Sequence, residues 1–161
     1  LYDWRITRDI VFDLGIPLFW FFYSFTYSGF PEEQGHRRSK RFISFFKRNF
    51  YDDAVRYFSL RVQTSESMRH RLQNPNEKFI FGFHPHGVFP ATAMYITETD
   101  AWRDAVGHND QHHVTVHGAS IIFSGPILRD FVMALGGRSV TRRAIENSID
   151  EGNSVVLVPG G

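Results

Sequence analysis

The sequence predicts an α/β fold with a mostly parallel sheet, preceded by an aromatic membrane-embedded segment and an amphipathic helix, and incomplete at its C-terminus. Three observations predict it. From residue 74 on, short apolar runs alternate with stretches of helical spacing, in the order strand, helix, strand, helix, strand. Before residue 74 the chain carries an uncharged aromatic run and then a helix-period pattern with one basic face. The 161 residues are enough for one domain with a core of its own.

Composition bounds the function. The net charge is +1, which gives no global charge case for nucleic acid. There is no cysteine, so disulfides, thiolate metal sites and a cysteine nucleophile are excluded, and the redox compartment is left undetermined. There are 17 phenylalanines, many of them in the first 60 residues, more than a small soluble core usually needs. The chain opens on Leu1 and closes on "VLVPGG", a strand run straight into Pro-Gly-Gly. The expectation is a piece of a longer protein, cut at both ends.

The elements follow in order. From Leu14 to Phe30 no residue is charged. A bilayer span needs about 20 apolar residues, so this run is slightly short. Asp9 and Asp13 lie upstream with no basic n-region, which argues against a signal peptide. Its aromatics suit the bilayer interface, and it reads as a membrane-embedded segment, one arm of a hairpin or a tilted short span; the competing reading is a buried core helix. Next, Arg37, Arg38, Lys40, Arg41, Lys47 and Arg48 come with no acid among them. Phe42, Phe46, Phe50, Ala54 and Phe58 recur every four residues, predicting a helix over about 39–62. Its basic face fits either a membrane surface or a solvated face over protein. "NPNEK" (74–78) is a turn. "KFIFGF" reads as a buried strand, and residues 90–102 as a helix with Pro90 near its start. "HHVTVHGASIIF" is strand and turn. Residues 126–137 read as a helix with Pro126 in the first turn and Gly136-Gly137 at the end. Residues 141–152 are a shorter helix, N-capped by Thr141 and stopped by Gly152, before the strand "SVVLV".

Sites in parallel sheets collect at the carboxyl ends of strands. "FGFHPHG" puts His84, Pro85, His86 and Gly87 at one such end, and Pro159, Gly160 and Gly161 lie at another. Imidazole can take a proton near neutral pH, and a helix N-terminus offers N–H groups to an oxyanion. Pro85 stiffens the turn and Gly87 allows close approach. The residues alone leave three readings: a catalytic base, half a metal site, or a satisfied histidine pair. No G-x-S-x-G, no G-x-x-x-x-G-K-[ST], no G-x-G-x-x-G after a strand and no H-E-x-x-H occurs. His108, His112, His113 and His117 are close in sequence, but on a strand His113 and His117 lie about 13 Å apart. A surface histidine cluster is the expectation there, with no metal.

The stretch "FGFHPHG" resembles the signature of the type-2 diacylglycerol acyltransferase family, which includes monoacylglycerol and wax-ester relatives. "GASIIFSGPILRDFVMALGGRSVTRRAI" is similar to its second block, through Gly118, Pro126, Leu128, Arg129, Asp130, Gly136, Gly137, Thr141 and Arg142. "SVVLVPGG" resembles the start of the third. The likeness runs from about Arg41 onward and implies a glycerolipid-acyltransferase-like layer. It implies transfer of an acyl group from acyl-CoA to a neutral-lipid hydroxyl, with no other cofactor. It also implies the endoplasmic reticulum membrane, with contact to lipid droplets and the site facing the cytosol. A thioester is already activated, so deprotonating the alcohol and stabilising the oxyanion suffice, without an acyl-enzyme. His86 is the first choice of base and His84 the second. Pro85, Gly87, Gly160 and Gly161 shape the turn or oxyanion site. Arg142 is either a contact for a CoA phosphate or an i,i+4 partner of Glu146. In the family the third block continues to an acidic residue, which is not reached by Gly161. His-x-x-x-x-Asp is also unmet, since Phe89 and Ala91 stand at those positions.

The expected organisation is a membrane segment with its basic flank over 1–38, a helical connector over 39–73, and the first part of the acyltransferase domain over 74–161. Expected partners are acyl-CoA, a neutral glycerolipid and a membrane, with no nucleic acid and with a homo-oligomer left open. The alternative is a non-catalytic, truncated, membrane-associated paralogue that binds lipid or acyl-CoA. The 161 residues alone are expected to be inactive.

Overall fold

The computed structural model describes residues 10–74, 76–84, 91–106 and 113–159. The chain divides into two compact units, residues 1–31 and 32–161. In the first, a wide π turn (Val11–Gly15), helix α1 (Ile16–Ser24) and a 3-10 turn (Phe25–Tyr27) follow one another. Pro17 sits in the first turn of α1, where its missing N–H costs nothing. Aromatic rings pack along the helix, with Phe19 stacked on Tyr23 at 5.8 Å. Phe12, Leu14, Ile16, Phe21 and Phe22 are all exposed. A helix apolar on every side needs an apolar surrounding. The run is about 25 Å long at 1.5 Å per residue. Among the described residues no helix is long and apolar enough to cross a membrane.

The second unit opens with helix α2 (Pro31–Gln34) and helix α3 (Lys40–Phe46). Ser39 caps α3, its hydroxyl accepting from the Phe42 N–H at 3.3 Å. A π turn over Lys47–Tyr51 and helix α4 (Asp52–Tyr57) continue the rod. The wide turn inserts a residue and shifts the inward face. Phe42 and Phe46 pack edge-on against Phe131, Tyr51 stacks on Tyr95, and Phe45, Phe50, Tyr57 and Phe58 are exposed. Part of the predicted apolar stripe therefore serves the protein core. The rod ends at Tyr57 rather than near Val62, because Ser59 turns to φ +51° and the Leu60 N–H closes back on Val55 O. Helix α5 (Glu66–Leu72) follows.

Four parallel strands form the sheet: β1 (Ile80–Gly82), β2 (Val114–Gly118), β3 (Arg138–Ser139) and β4 (Ser154–Leu157), in the order β1-β4-β2-β3. β4 is central, with Ser154, Val155 and Val156 buried. The β1 run is not the buried strand its composition predicts. It is an edge strand with Ile80 62% exposed, since β4 covers only one of its sides.

The helix expected over 90–102 is broken. Helix α6 (Ala91–Tyr95) passes into a 3-10 turn (Ile96–Glu98), and the buried Thr99 then starts helix α7 (Asp100–Val106), accepting from the Trp102 N–H. Pro90 lies outside the described residues. After β2 a 3-10 turn (Ser120–Ser124) leads to helix α8 (Leu128–Ala134), shorter than expected. Pro126 precedes α8 rather than sitting in its first turn. Ile127 takes φ +67° and ψ −52°, and the Leu128 N–H closes on Pro126 O at 2.7 Å. This is a γ-turn of the rare, strained hand. For a β-branched residue it costs about 1–3 kcal/mol. Burying the Ile127 side chain would return about 1.5–3 kcal/mol, yet it is 68% exposed. Helix α9 (Arg142–Asp150) has the predicted Thr141 cap, accepting from the Ala144 N–H, and the predicted stop at Gly152.

The steps β1→β2 and β2→β3 run one way along the sheet and β3→β4 runs back. With right-handed crossovers, α6–α8 cover one face and α9 the other. On the α8 side Phe123, Val132 and Met133 form a buried cluster, with Met94 and Ile122 packed against it. On the α9 side Thr115 and His117 are buried. His117 Nδ1 lies 2.9 Å from Ser139 O and Nε2 lies 3.0 Å from Ser148 Oγ. A carbonyl only accepts, so Nδ1 carries the proton, and the one Ser148 hydroxyl proton is shared between Nε2 and the Ala144 carbonyl at 3.0 Å. His117 is thus a core cross-link from sheet to helix, not part of a surface cluster. Burial lowers its pKa against the opposing hydrogen bond to Ser139. His113 falls from 6.5 to about 4, mainly through burial and then the Arg38 charge.

Two outcomes follow from this packing. Gly136 adopts φ +92° at the end of α8, where an added Cβ would meet Arg38 Cδ at 3.1 Å. Gly136→Ala should lower unfolding free energy by about 1–2 kcal/mol in urea titration. His113 and His117 are neutral when folded, whereas the unfolded chain takes up their protons near pH 6.5. Their contribution is intact above pH 6.5 and is lost as pH falls toward about 4. His113→Gln should reduce that acid-side loss by about 2–3 kcal/mol in urea titrations across the range.

Candidate functional site

The register fixes a row of residues across the sheet. Gly82 pairs with Leu157, Leu157 with His117, and His117 with Arg138. Two residues further on, His84, Pro159, Ala119 and Val140 leave the same carboxyl edge. The Phe83 N–H donates to Leu157 O at 2.8 Å and the Val140 N–H to Gly118 O at 2.9 Å, so the pairing runs up to that edge. The sheet thus brings His84 beside Pro159, two ends that the sequence alone leaves 75 residues apart. His84 is exposed. Pro85, His86, Gly87, Gly160 and Gly161 lie outside the described residues.

Arg142 stands at the same edge but not beside His84. It starts α9 after β3, three strand spacings from β1, or about 14 Å. Its Nε donates to Glu146 Oε1 at 2.7 Å, and that hydrogen bond raises its pKa. The side chain is 91% exposed. This is the i,i+4 arrangement that helical spacing allows.

An apolar cavity of about 310 Å³ lies between the sheet and the helices α6 and α8. Ala93, Met94, Val116, Val132, Leu135 and Val158 line it, with Gly118, Ala119 and Val140 at the carboxyl edge. At its other end Thr97, Glu98 and His113 divide it from a polar cavity of about 400 Å³ that holds Arg38, Lys40, Lys47 and Arg103. Arg38 pairs with Glu98 at 3.0 Å and Lys47 with Asp100 at 2.6 Å. Among the described residues no group of three or more His, Asp or Glu side chains could hold a metal ion.

The second motif block works as scaffold. Arg129 is fully buried and pairs with Glu32 at 3.2 Å, while Asp130 accepts from Arg37 at 2.7 Å. Thr141 donates to Glu33 at 2.9 Å. These contacts tie residues 32–37 to α8 and to the start of α9. Gly137 is needed because a Cβ there would meet Val132 Cγ1 at 2.6 Å. His113, His117 and the cavity wall escape a motif search. The alternation Val114-Thr115-Val116-His117 is the one signal that assigns them to opposite faces.

Comparison with known proteins places the chain. Residues 11–161 match the family described as diacylglycerol acyltransferase. The 2-acylglycerol O-acyltransferase 1 of Mus musculus is 28% identical over 155 residues, covering 92% of this chain and 42% of the relative. The diacylglycerol O-acyltransferase 2 of Dictyostelium discoideum is 28% identical over 156 residues, covering 91% and 44%. The acyl-CoA wax alcohol acyltransferase 1 of Mus musculus is 30% identical over 117 residues, covering 70% and 33%. The chain thus spans less than half the length of each. No solved structure matches it. With a family match that runs from Val11 to the last residue, the chain belongs to the diacylglycerol acyltransferase family.

Proposed function

We propose that this chain is part of a membrane-bound enzyme that moves a fatty acyl group from acyl-CoA to the hydroxyl of diacylglycerol or a related neutral-lipid alcohol. The carrying observation is the parallel pairing of β1 with β4, which sets the chain after Phe83 and the chain after Val158 side by side at one sheet edge. An imidazole of the His84–His86 stretch takes the alcohol proton as the oxygen attacks the thioester carbon. The tetrahedral oxyanion is held by backbone N–H groups at that edge, where Gly87, Gly160 and Gly161 belong in the sequence. Collapse breaks the carbon–sulfur bond, and the CoA thiolate recovers the proton from the imidazolium. His86 is the preferred base and His84 orients the turn or substrate. The cavity volume of about 310 Å³ falls in the range of about 300–1,000 Å³ typical of small-molecule sites, and its apolar wall suits an acyl or alkyl chain. The setting is the endoplasmic reticulum membrane with the site open to the cytosol.

The complete reading frame, expressed in membranes that make no triacylglycerol, should incorporate labelled oleoyl-CoA into one neutral lipid when offered diacylglycerol, monoacylglycerol or fatty alcohol. His86→Ala should cut that rate by about 10²–10⁴-fold at unchanged membrane abundance. Full activity in both His84→Ala and His86→Ala would sink the base assignment. No label with any acceptor, from folded membrane-bound protein, would leave a lipid-binding paralogue.

A further inference from the structure

The connection from β2 to α8 exposes apolar side chains for which the described fold offers no burial. Ile121 is 76% exposed, Ile127 68% and Leu128 51%, and Val140 at the head of the neighbouring strand is 44% exposed. All four stand at the carboxyl edge of the sheet, the edge that carries His84. Two of them, Ile121 and Val140, also line the apolar cavity, so this patch is the cavity's rim. The chain holds Ile127 outward in a strained γ-turn. Strain of this kind in a non-glycine residue collects where function requires a fixed geometry. In water most of the isoleucine side chain stays exposed and returns little for the strain. In an apolar phase it would return more, because the side chain leaves water there.

We propose that this rim inserts into a lipid leaflet, with Ile121, Ile127 and Leu128 among the acyl chains and the cavity mouth opening directly into the bilayer. The inference rests on the reading of the site as one that takes a neutral lipid. Such an acceptor is dissolved in the leaflet and need not cross water if the mouth lies below the headgroups. The charges beside the rim match that placement. Arg142 and Arg143 follow Val140 after Thr141, with side chains 91% and 66% exposed, and their ion pairs with Glu146 at 2.7 Å and Glu33 at 3.6 Å are surface contacts that headgroups can displace. An apolar wedge flanked by exposed guanidinium groups is the pattern of an interfacial surface over anionic headgroups. A protein partner would find the same apolar residues, but it would give no route from cavity to lipid.

The test uses the complete reading frame, with any native cysteine replaced by serine, bound to vesicles of phosphatidylcholine and phosphatidylserine. An environment-sensitive nitrobenzoxadiazole label is placed at Ile127→Cys, Leu128→Cys or Ile121→Cys in turn. The last leaves the γ-turn untouched, so a turn variant that fails to fold does not end the test. Ile80→Cys, an exposed apolar position at the opposite end of β1, is the control. The expected result is blue-shifted emission at the three rim positions, quenched by nitroxide on the lipid acyl chains and protected from aqueous iodide, with the reverse at position 80. Iodide quenching at the rim of vesicle-bound protein would overturn the proposal. So would protection from iodide without nitroxide quenching, which would mean that protein covers the rim. The readout needs no turnover, so its failure is distinct from a failure to transfer acyl groups.

Discussion

Everything at the candidate site depends on β4 lying between β1 and β2. Its Val155 is fully buried, and both of its edges are hydrogen-bonded. Parallel pairing forces all four strands to end on one side, where the loops that follow them gather. If β4 were removed, β1 would have no partner among the described residues, and His84 would be placed by nothing. The burial of three consecutive β4 residues therefore positions a group that none of them touches.

The same separation of support from chemistry runs through the second motif block. Arg129 has the chemical means to bind a phosphate, but it is fully buried against Glu32. A buried pair of this kind adds little net stability, yet losing one partner leaves an uncompensated charge at a cost of about 3–5 kcal/mol. It acts as a register pin that holds residues 32–37 on α8. Gly136 and Gly137 have an equally local reason, one for its backbone angle and one for the closeness of Val132. These positions answer to packing within the protein.

The parallel sheet was legible because "SVVLV" and "VTVHG" are β-branched runs between helix-spaced stretches, and both became strands. The caps at Thr141 and Gly152 were legible because a cap is a local bargain between neighbouring residues. What failed was the sheet order and two local breaks that the apolar period conceals. "FIFGF" is apolar enough for a core strand, but its edge position depends on the sheet order, which no local pattern carries. The 90–102 helix broke at Thr99, whose hydroxyl offered a cap stronger than the pull of the apolar period. The rod after Ser39 lost phase at an inserted π turn, so Tyr51 went inward where a strict four-residue repeat pointed Phe50. At the site, the strand-end rule put His84 and Pro159 at the carboxyl ends of strands, while the pairing of those two strands, the cavity wall and the buried role of His117 needed the packed structure. The first unit does contain an all-round apolar helix, but it is shorter than the span its composition suggested.

The strand order also has a consequence in time. Among the described residues β1 pairs only with β4, and the Phe79 N–H donates to Ser154 Oγ across 75 residues. At a ribosome rate of about 5–20 residues per second, β1 emerges roughly 4–15 s before β4. For that interval an apolar strand that leads to His84 has no sheet to join. The strand order thus sets how long "FIFGF" waits for its β4 partner during synthesis.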